Sequence, residues 1–149
     1  MPQGKEIKAL GILAEAGVAP YREATGEEYM CDKQQTHFNT ILDAWRTQLK
    51  KEVDRTMSHM KDDAANYPDP VDRAAQEEEF ALELRTRDRE RKLIKKIEKT
   101  IQAIKEDDFG FCKSCGIEIG IRRLEARPTA DQCIECKTLA EIKERQMGG

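Results

Sequence analysis

The sequence predicts a mainly α protein: a long antiparallel coiled-coil hairpin followed by a small four-cysteine zinc-finger module with a C-terminal helix. Three observations carry this. One apolar stripe at helical spacing runs through residues 38–64, a second runs from about residue 71 to 104, and two Cys-x-x-Cys pairs lie beyond them. The composition agrees, because 37% of the 149 residues are charged against 38% hydrophobic, and only 5% are aromatic. With Trp45 the single tryptophan, few large side chains are available to fill a sandwich or a doubly wound sheet. No apolar run approaches the roughly 20 residues needed to cross a bilayer. The amino terminus also lacks a basic segment followed by a continuous hydrophobic stretch, so a soluble cytoplasmic protein is expected.

Residues 1–31 form an irregular arm, interrupted by Gly4, Gly11, Gly17, Pro20 and Gly26, with one helical turn near Ile7 to Glu15. Asp32 reads as an N-cap with Gln35 three residues on, close to a capping box. From there Phe38, Leu42, Trp45, Leu49, Val53, Met57, Met60 and Ala64 recur at spacings of three and four, one face of one long helix. The run Asn66-Tyr67-Pro68-Asp69-Pro70 ends it, since proline lacks a backbone donor and disfavours helix in the residue before it. The tip of the hairpin therefore falls at about residues 66–72. Asp69 is placed to cap the second helix, with Pro70 at its first position and Asp72 near the positive end of the dipole. That helix runs to about Lys105, with apolar or small positions Val71, Ala74, Ala75, Phe80, Leu84, Ile94, Ile97, Ile101 and Ile104. The hairpin thus spans residues 32–106, roughly 50 Å at 1.5 Å per residue.

The stretch Arg85 to Lys92 holds no apolar residue. Counted back from the tip it faces Trp45 to Leu49. It is either a seam in which arginine stems cover apolar surface with their heads in water or a basic docking stripe. Formal net charge is −3, but residues 61–84 carry 2 basic and 8 acidic side chains while residues 85–105 carry 9 and 3. An acidic block abutting a basic one marks a surface for a partner.

Residues 107–149 form the metal module. Cys112 and Cys115, then Cys133 and Cys136, are separated by 17 residues, within the spacing of a four-cysteine zinc site. Four thiolates close a tetrahedral shell and leave no position for water or substrate, so one structural Zn²⁺ is expected. Disulfides are the weaker alternative in a chain without a secretion signal. Some 40 residues with few core side chains depend on metal to fold. Between the pairs, Phe111 and Ile117 to Ile121 suggest a short hairpin, Ile121 to Ala126 a helical turn stopped by Pro128, and Ile134 to about Gln146 a terminal helix. Cys31 is a distant fifth thiol, and His37 and His59 have no spaced partner that would make them ligands.

No P-loop, G-x-S-x-G, H-E-x-x-H or dinucleotide fingerprint occurs, so there is no basis for an enzyme. The leading class is a binding module acting on a large enzyme. The rivals are a nucleic-acid binder using the basic stripe on phosphates, opposed by the acidic tip and the lack of interleaved aromatics, and a coiled-coil adaptor.

The runs NYPDPVDRAAQEEEFALELRTRDRERKLIKKIEKT, CKSCGIEIGIRRLEARPTADQC and CKTLAEIKE resemble the TraR/DksA family, over about residues 26–149. The resemblance implies a monomeric regulator that binds RNA polymerase and not DNA, and inserts its coiled coil through the secondary channel. With the alarmone ppGpp it destabilises open promoter complexes, in the manner of the stringent response. The family's tip motif D-x-x-D-x-A falls on Asp69, Asp72 and Ala74. Its alarmone contacts fall on Leu93, Lys96, Arg127 and Lys137, and cations from separate segments suit a polyphosphate.

Overall fold

The computed structural model describes residues 11–64 and 69–148, so Ile7 to Leu10 and Asn66 to Pro68 of the expected elements, and the side chain of Ala64, lie outside it. Five α-helices occupy the described residues: α1 Gly11–Ala16, α2 Asp32–Ala64, α3 Pro70–Lys105, α4 Ile121–Ala126 and α5 Ile134–Gly148. The mainly helical class expected from the sequence is the class observed. Among the described residues extended pairing is limited to an isolated antiparallel bridge, Phe111 with Glu118, where a short hairpin was expected. Two compact units form, Arg46–Glu98, and Met1–Trp45 with Lys99–Gly149.

In the unit Arg46–Glu98 the two long helices run antiparallel. Lys50 meets Glu98 at 3.8 Å, the Arg87 guanidinium donates to Met57 Sδ, and His59 meets Glu83 at 3.2 Å, so position falls along α3 as it rises along α2. This register corrects the expected pairing: Arg85 to Lys92 lies opposite the Glu52–Met57 turns and not opposite Trp45 to Leu49. The reason is that these pairs are centred near residues 71–74, inside the first turns of α3, and not on the proline run before it. Among the described residues Ala74, Ala75 and Val71, the last 78% exposed, contribute nothing to a core.

The seam of α3 keeps a strict alternation of three and four through Gln76, Phe80, Glu83, Arg87, Glu90, Ile94 and Ile97, all half-buried or buried. Leu84, an expected seam residue, is one position out of step and exposed, and Glu83 takes its place. The charged stretch is divided accordingly. Arg87 and Glu90 turn inward, while Arg85, Arg89, Arg91 and Lys92 are exposed. Glu83 Oε2, Arg87 Nε and Glu90 Oε2 are buried without a hydrogen-bond partner. Burial, together with the facing Glu52, raises the Glu90 carboxyl above its ordinary range.

In the other unit, Phe38, Ile41 and Leu42 of α2 and Ile101 and Ile104 of α3 are buried with Phe109, and the Phe38 and Phe109 rings lie 5.4 Å apart. The cap of α2 falls one residue before the expected Asp32, because Gln35 N donates to the Cys31 carbonyl at 3.0 Å. Buried Gln34 reaches back to accept from Met30 N at 2.7 Å, which does the work assigned to a capping box. The arm is folded against the module: α1 contacts α4, with Leu13 1% exposed. The Tyr29 hydroxyl donates to the Gly110 carbonyl at 2.7 Å and accepts from Gly120 N at 3.0 Å. Gly110 has φ +95°, and a Cβ there would sit 2.9 Å from Met30 Cγ, so glycine is required.

Candidate metal centre and interaction residues

The four cysteines come together in the unit that holds Phe38 and Phe109. Their Sγ atoms all lie within 4.8 Å of one another, and Cys115 and Cys133 are 3.8 Å apart. A tetrahedron with Zn–S bonds of about 2.3 Å has sulfur–sulfur edges near 3.8 Å, so the donors fit zinc in both number and spacing. Each pair is held by a tight turn. Gly116, with φ +80°, closes the first by donating its N–H to the Cys112 carbonyl at 2.9 Å, and Cys136 N donates to Cys133 Sγ at 3.4 Å in the second. Lys113 N to the Asp131 carbonyl, 2.9 Å, ties one turn to the other.

Cys112 and Cys133 are buried, Cys136 is half-buried and Cys115 is exposed. Backbone N–H groups of Cys133, and then of Cys115 and Ser114, hold the Cys112 thiol down to about 6 despite its burial. Hydrogen bonds with the neighbouring sulfurs of Cys133, Cys115 and Cys112, helped by burial, hold the proton on Cys136 and push its thiol up to about 12. The set takes one zinc ion as a closed structural site, as the sequence spacing indicates.

At the tip, Asp69 Oδ1 accepts from Asp72 N at 2.9 Å and the Asp69 carbonyl accepts from Arg73 N at 2.8 Å, so Asp69 caps α3 with Pro70 at its first position. Asp69, Asp72 and Ala74 are all exposed, beside a shallow groove lined by Pro70, Arg73, Ala74 and Glu77. Leu93 and Lys96 lie three residues apart on α3 in the unit Arg46–Glu98, Leu93 half-buried and Lys96 exposed. Arg127 and Lys137 belong to the other unit: Arg127 is the exposed C-cap of α4, and Lys137 is half-buried on the first turn of α5 with its N–H on the Cys133 carbonyl.

One group of residues escaped the sequence reading. Glu125 of α4, 3% exposed, accepts from Tyr21 N at 2.8 Å, pairs with His37 Nε2 at 3.0 Å and pairs with Arg122, which also donates to the Tyr21 carbonyl at 2.6 Å. A carboxylate only accepts, so His37 carries its proton on Nε2. His37 is therefore more than an ordinary helix residue. Separations of 88 and 104 positions left no local signal for this network.

Fold and site together define a helical-hairpin protein carrying a C4-type zinc finger. Residues 34–104 match the family described as DnaK suppressor protein DksA, N-terminal domain, and residues 107–141 match the prokaryotic dksA/traR C4-type zinc finger. The chain is 69% identical over 147 residues to the RNA polymerase-binding transcription factor DksA of Escherichia coli (strain K12), covering 99% of this chain and 97% of that protein. Over the same length it is 59% identical to the DksA of Buchnera aphidicola subsp. Acyrthosiphon pisum (strain APS). Among solved structures, transcription factor DksA2 from Pseudomonas aeruginosa superposes with a TM-score of 0.74 at 34% identity, covering 81% of this chain and 95% of that one. The chain belongs to the DksA family.

Proposed function

We propose that the chain is an RNA polymerase-binding transcription factor that acts without catalysis of its own, in the cytoplasm. The observation that carries this reading is 69% identity, over nearly the full length of both chains, to a relative named for binding RNA polymerase. In finer detail, the protein acts as a monomer whose hairpin tip enters the polymerase secondary channel and reaches toward the active site. There it works with ppGpp to destabilise open promoter complexes, repressing ribosomal RNA promoters and activating some amino-acid biosynthesis promoters. Exposed carboxylates at Asp69 and Asp72 suit a tip that alters polar contacts inside the enzyme. Leu93, Lys96, Arg127 and Lys137 are the alarmone contacts, with Lys96, Arg127 and Lys137 meeting its phosphates through charge-assisted hydrogen bonds. The DNA-binding alternative gains nothing from the fold, since the exposed arginines of α3 have no aromatic side chains between them for base stacking. Co-purification with RNA polymerase and a gel shift on promoter DNA alone test the proposal. Capture of polymerase with no shift of free DNA is expected, and the reverse pattern would overturn it.

A further inference from the structure

Among the described residues, Glu125 is the one acidic or basic residue buried in the fold. A buried carboxylate is costly unless its oxygens are satisfied, and here the arm backbone, the α2 imidazole and the Arg122 guanidinium satisfy them. Leucine at this position would give burial at no desolvation cost. What burial of an apolar side chain lacks is direction, whereas hydrogen bonds from two other segments, the arm and α2, with Arg122 of α4 itself also tied to the Tyr21 carbonyl, fix both the depth and the rotation of the helix.

That matters for α4, which has six residues, is too short to be stable alone and has no side-chain cap at Gly120. Arg127 is the C-cap residue, with φ −145° and ψ 81°, so the direction of its side chain is set by how the chain leaves α4, and a fixed α4 fixes that exit. Arg127 sits where the helix ends. Its N–H donates to the Arg123 carbonyl at 2.9 Å, its own carbonyl accepts from Ala130 N at 3.0 Å, and buried Pro128 and Thr129 follow. The backbone of Arg127 is thus pinned on one side by the Glu125 clamp and on the other by Pro128.

We propose that Glu125 is a positioning residue which, through Tyr21, His37 and Arg122, fixes the direction in which Arg127 presents its guanidinium to the alarmone's phosphates. The inference rests on the reading of Arg127 as an alarmone contact. Glutamine at 125 keeps the size but offers one acceptor, and its amide N–H₂ must face donors already present, so the clamp loosens while the core volume is kept.

The test is a ppGpp titration of open-complex lifetime with full-length protein and RNA polymerase, comparing wild type, Glu125→Gln, Arg127→Ala and the double variant. Polymerase affinity without ppGpp, zinc content and the unfolding midpoint are measured on the same preparations. Glu125→Gln should raise the half-effective ppGpp concentration by about fivefold, the scale of one ordinary hydrogen bond. Polymerase affinity in the absence of ppGpp should change less than twofold. The double variant should be no worse than Arg127→Ala alone, because a positioner has nothing left to position once the guanidinium is gone. A purely structural role predicts instead that the two effects multiply, and that result, or an unshifted midpoint for Glu125→Gln, overturns the proposal. If Glu125→Gln loses zinc or fails to fold, Arg122→Ala serves in its place. Arg122 is exposed, its loss leaves Glu125 two donors, and a smaller shift in the same direction is expected, with no shift overturning the proposal. Should Arg127→Ala itself leave the ppGpp midpoint unmoved, it is the alarmone reading that fails, and this inference with it.

Discussion

Replacing Glu90 by leucine should stabilise the protein, although it removes a charged residue from a charged stretch. In the wild type Glu90 occupies a seam position between Arg87 and Ile94, its Oε2 is buried without a partner, and burial with Glu52 opposite raises its carboxyl. A buried polar atom left unsatisfied costs about 1–3 kcal/mol. A leucine placed in the half-exposed seam adds apolar burial worth about 1 kcal/mol at most, partly offset by imperfect fit beside Arg87. The expected gain is about 1–2 kcal/mol at pH 7.5, read as a shift of the urea midpoint followed by far-UV dichroism. The sign with pH follows from the direction of the shift. A carboxyl raised in the folded state takes up its proton more readily there than in the unfolded chain. The wild type therefore carries its penalty above the folded value and sheds it as pH falls toward the ordinary glutamate value of 4.5. The advantage of Glu90→Leu should accordingly shrink between pH 7.5 and pH 5. A destabilised variant, or an advantage equal at both pH values, would refute the claim that an unpaired buried carboxylate weakens the seam.

Three other perturbations probe separate parts of the chain. Chelation should release one equivalent of zinc and melt α4 and α5 while most helicity of α2 and α3 survives, as metal analysis and dichroism on the same sample would show; complete loss of helicity contradicts a separable module. Asp69→Ala should cost roughly 1 kcal/mol of local stability through the lost cap, whereas Asp69→Asn keeps the cap and should lose promoter regulation while retaining polymerase binding, so normal regulation by Asp69→Asn and Asp72→Asn would reduce both carboxylates to helix-end devices. Gly110→Ala places a Cβ 2.9 Å from Met30 Cγ at a φ of +95°, and should destabilise the zinc-bearing unit by about 2 kcal/mol in denaturant unfolding; an unchanged midpoint would show that Met30 gives way freely.

Periodicity and spacing are local properties, and what they govern was legible. The α2 stripe from Phe38 onward, the break before Pro70, the Asp69 cap and the cysteine cluster all follow from residues within a few turns of each other or from a fixed ligand interval. The pairing register of the hairpin was not legible, because the observed pairs are centred inside the first turns of α3 and not at the proline run from which the count began. Glu83 and Leu84 are adjacent in sequence, and hydrophobicity favoured Leu84, while the three-four alternation counted from Ile94 selects Glu83. The arm was opaque for a different reason. Leu13, Tyr21 and Tyr29 are ordinary residues until α4 and Gly110, about a hundred positions away, arrive beside them. Nor did anything in the run IRRLEAR distinguish Glu125 from the surface charges around it.

The lifetime of open complexes at a ribosomal RNA promoter is the most direct measurement of the central claim. Purified RNA polymerase is combined with the zinc-loaded chain, with and without ppGpp, and dissociation is followed after competitor addition. The account predicts that the chain alone shortens the lifetime, that ppGpp shortens it further, and that Asp69→Asn abolishes the effect while still competing with wild type for polymerase. Lifetimes identical with and without the chain, at concentrations where polymerase is shown to be bound, would contradict it.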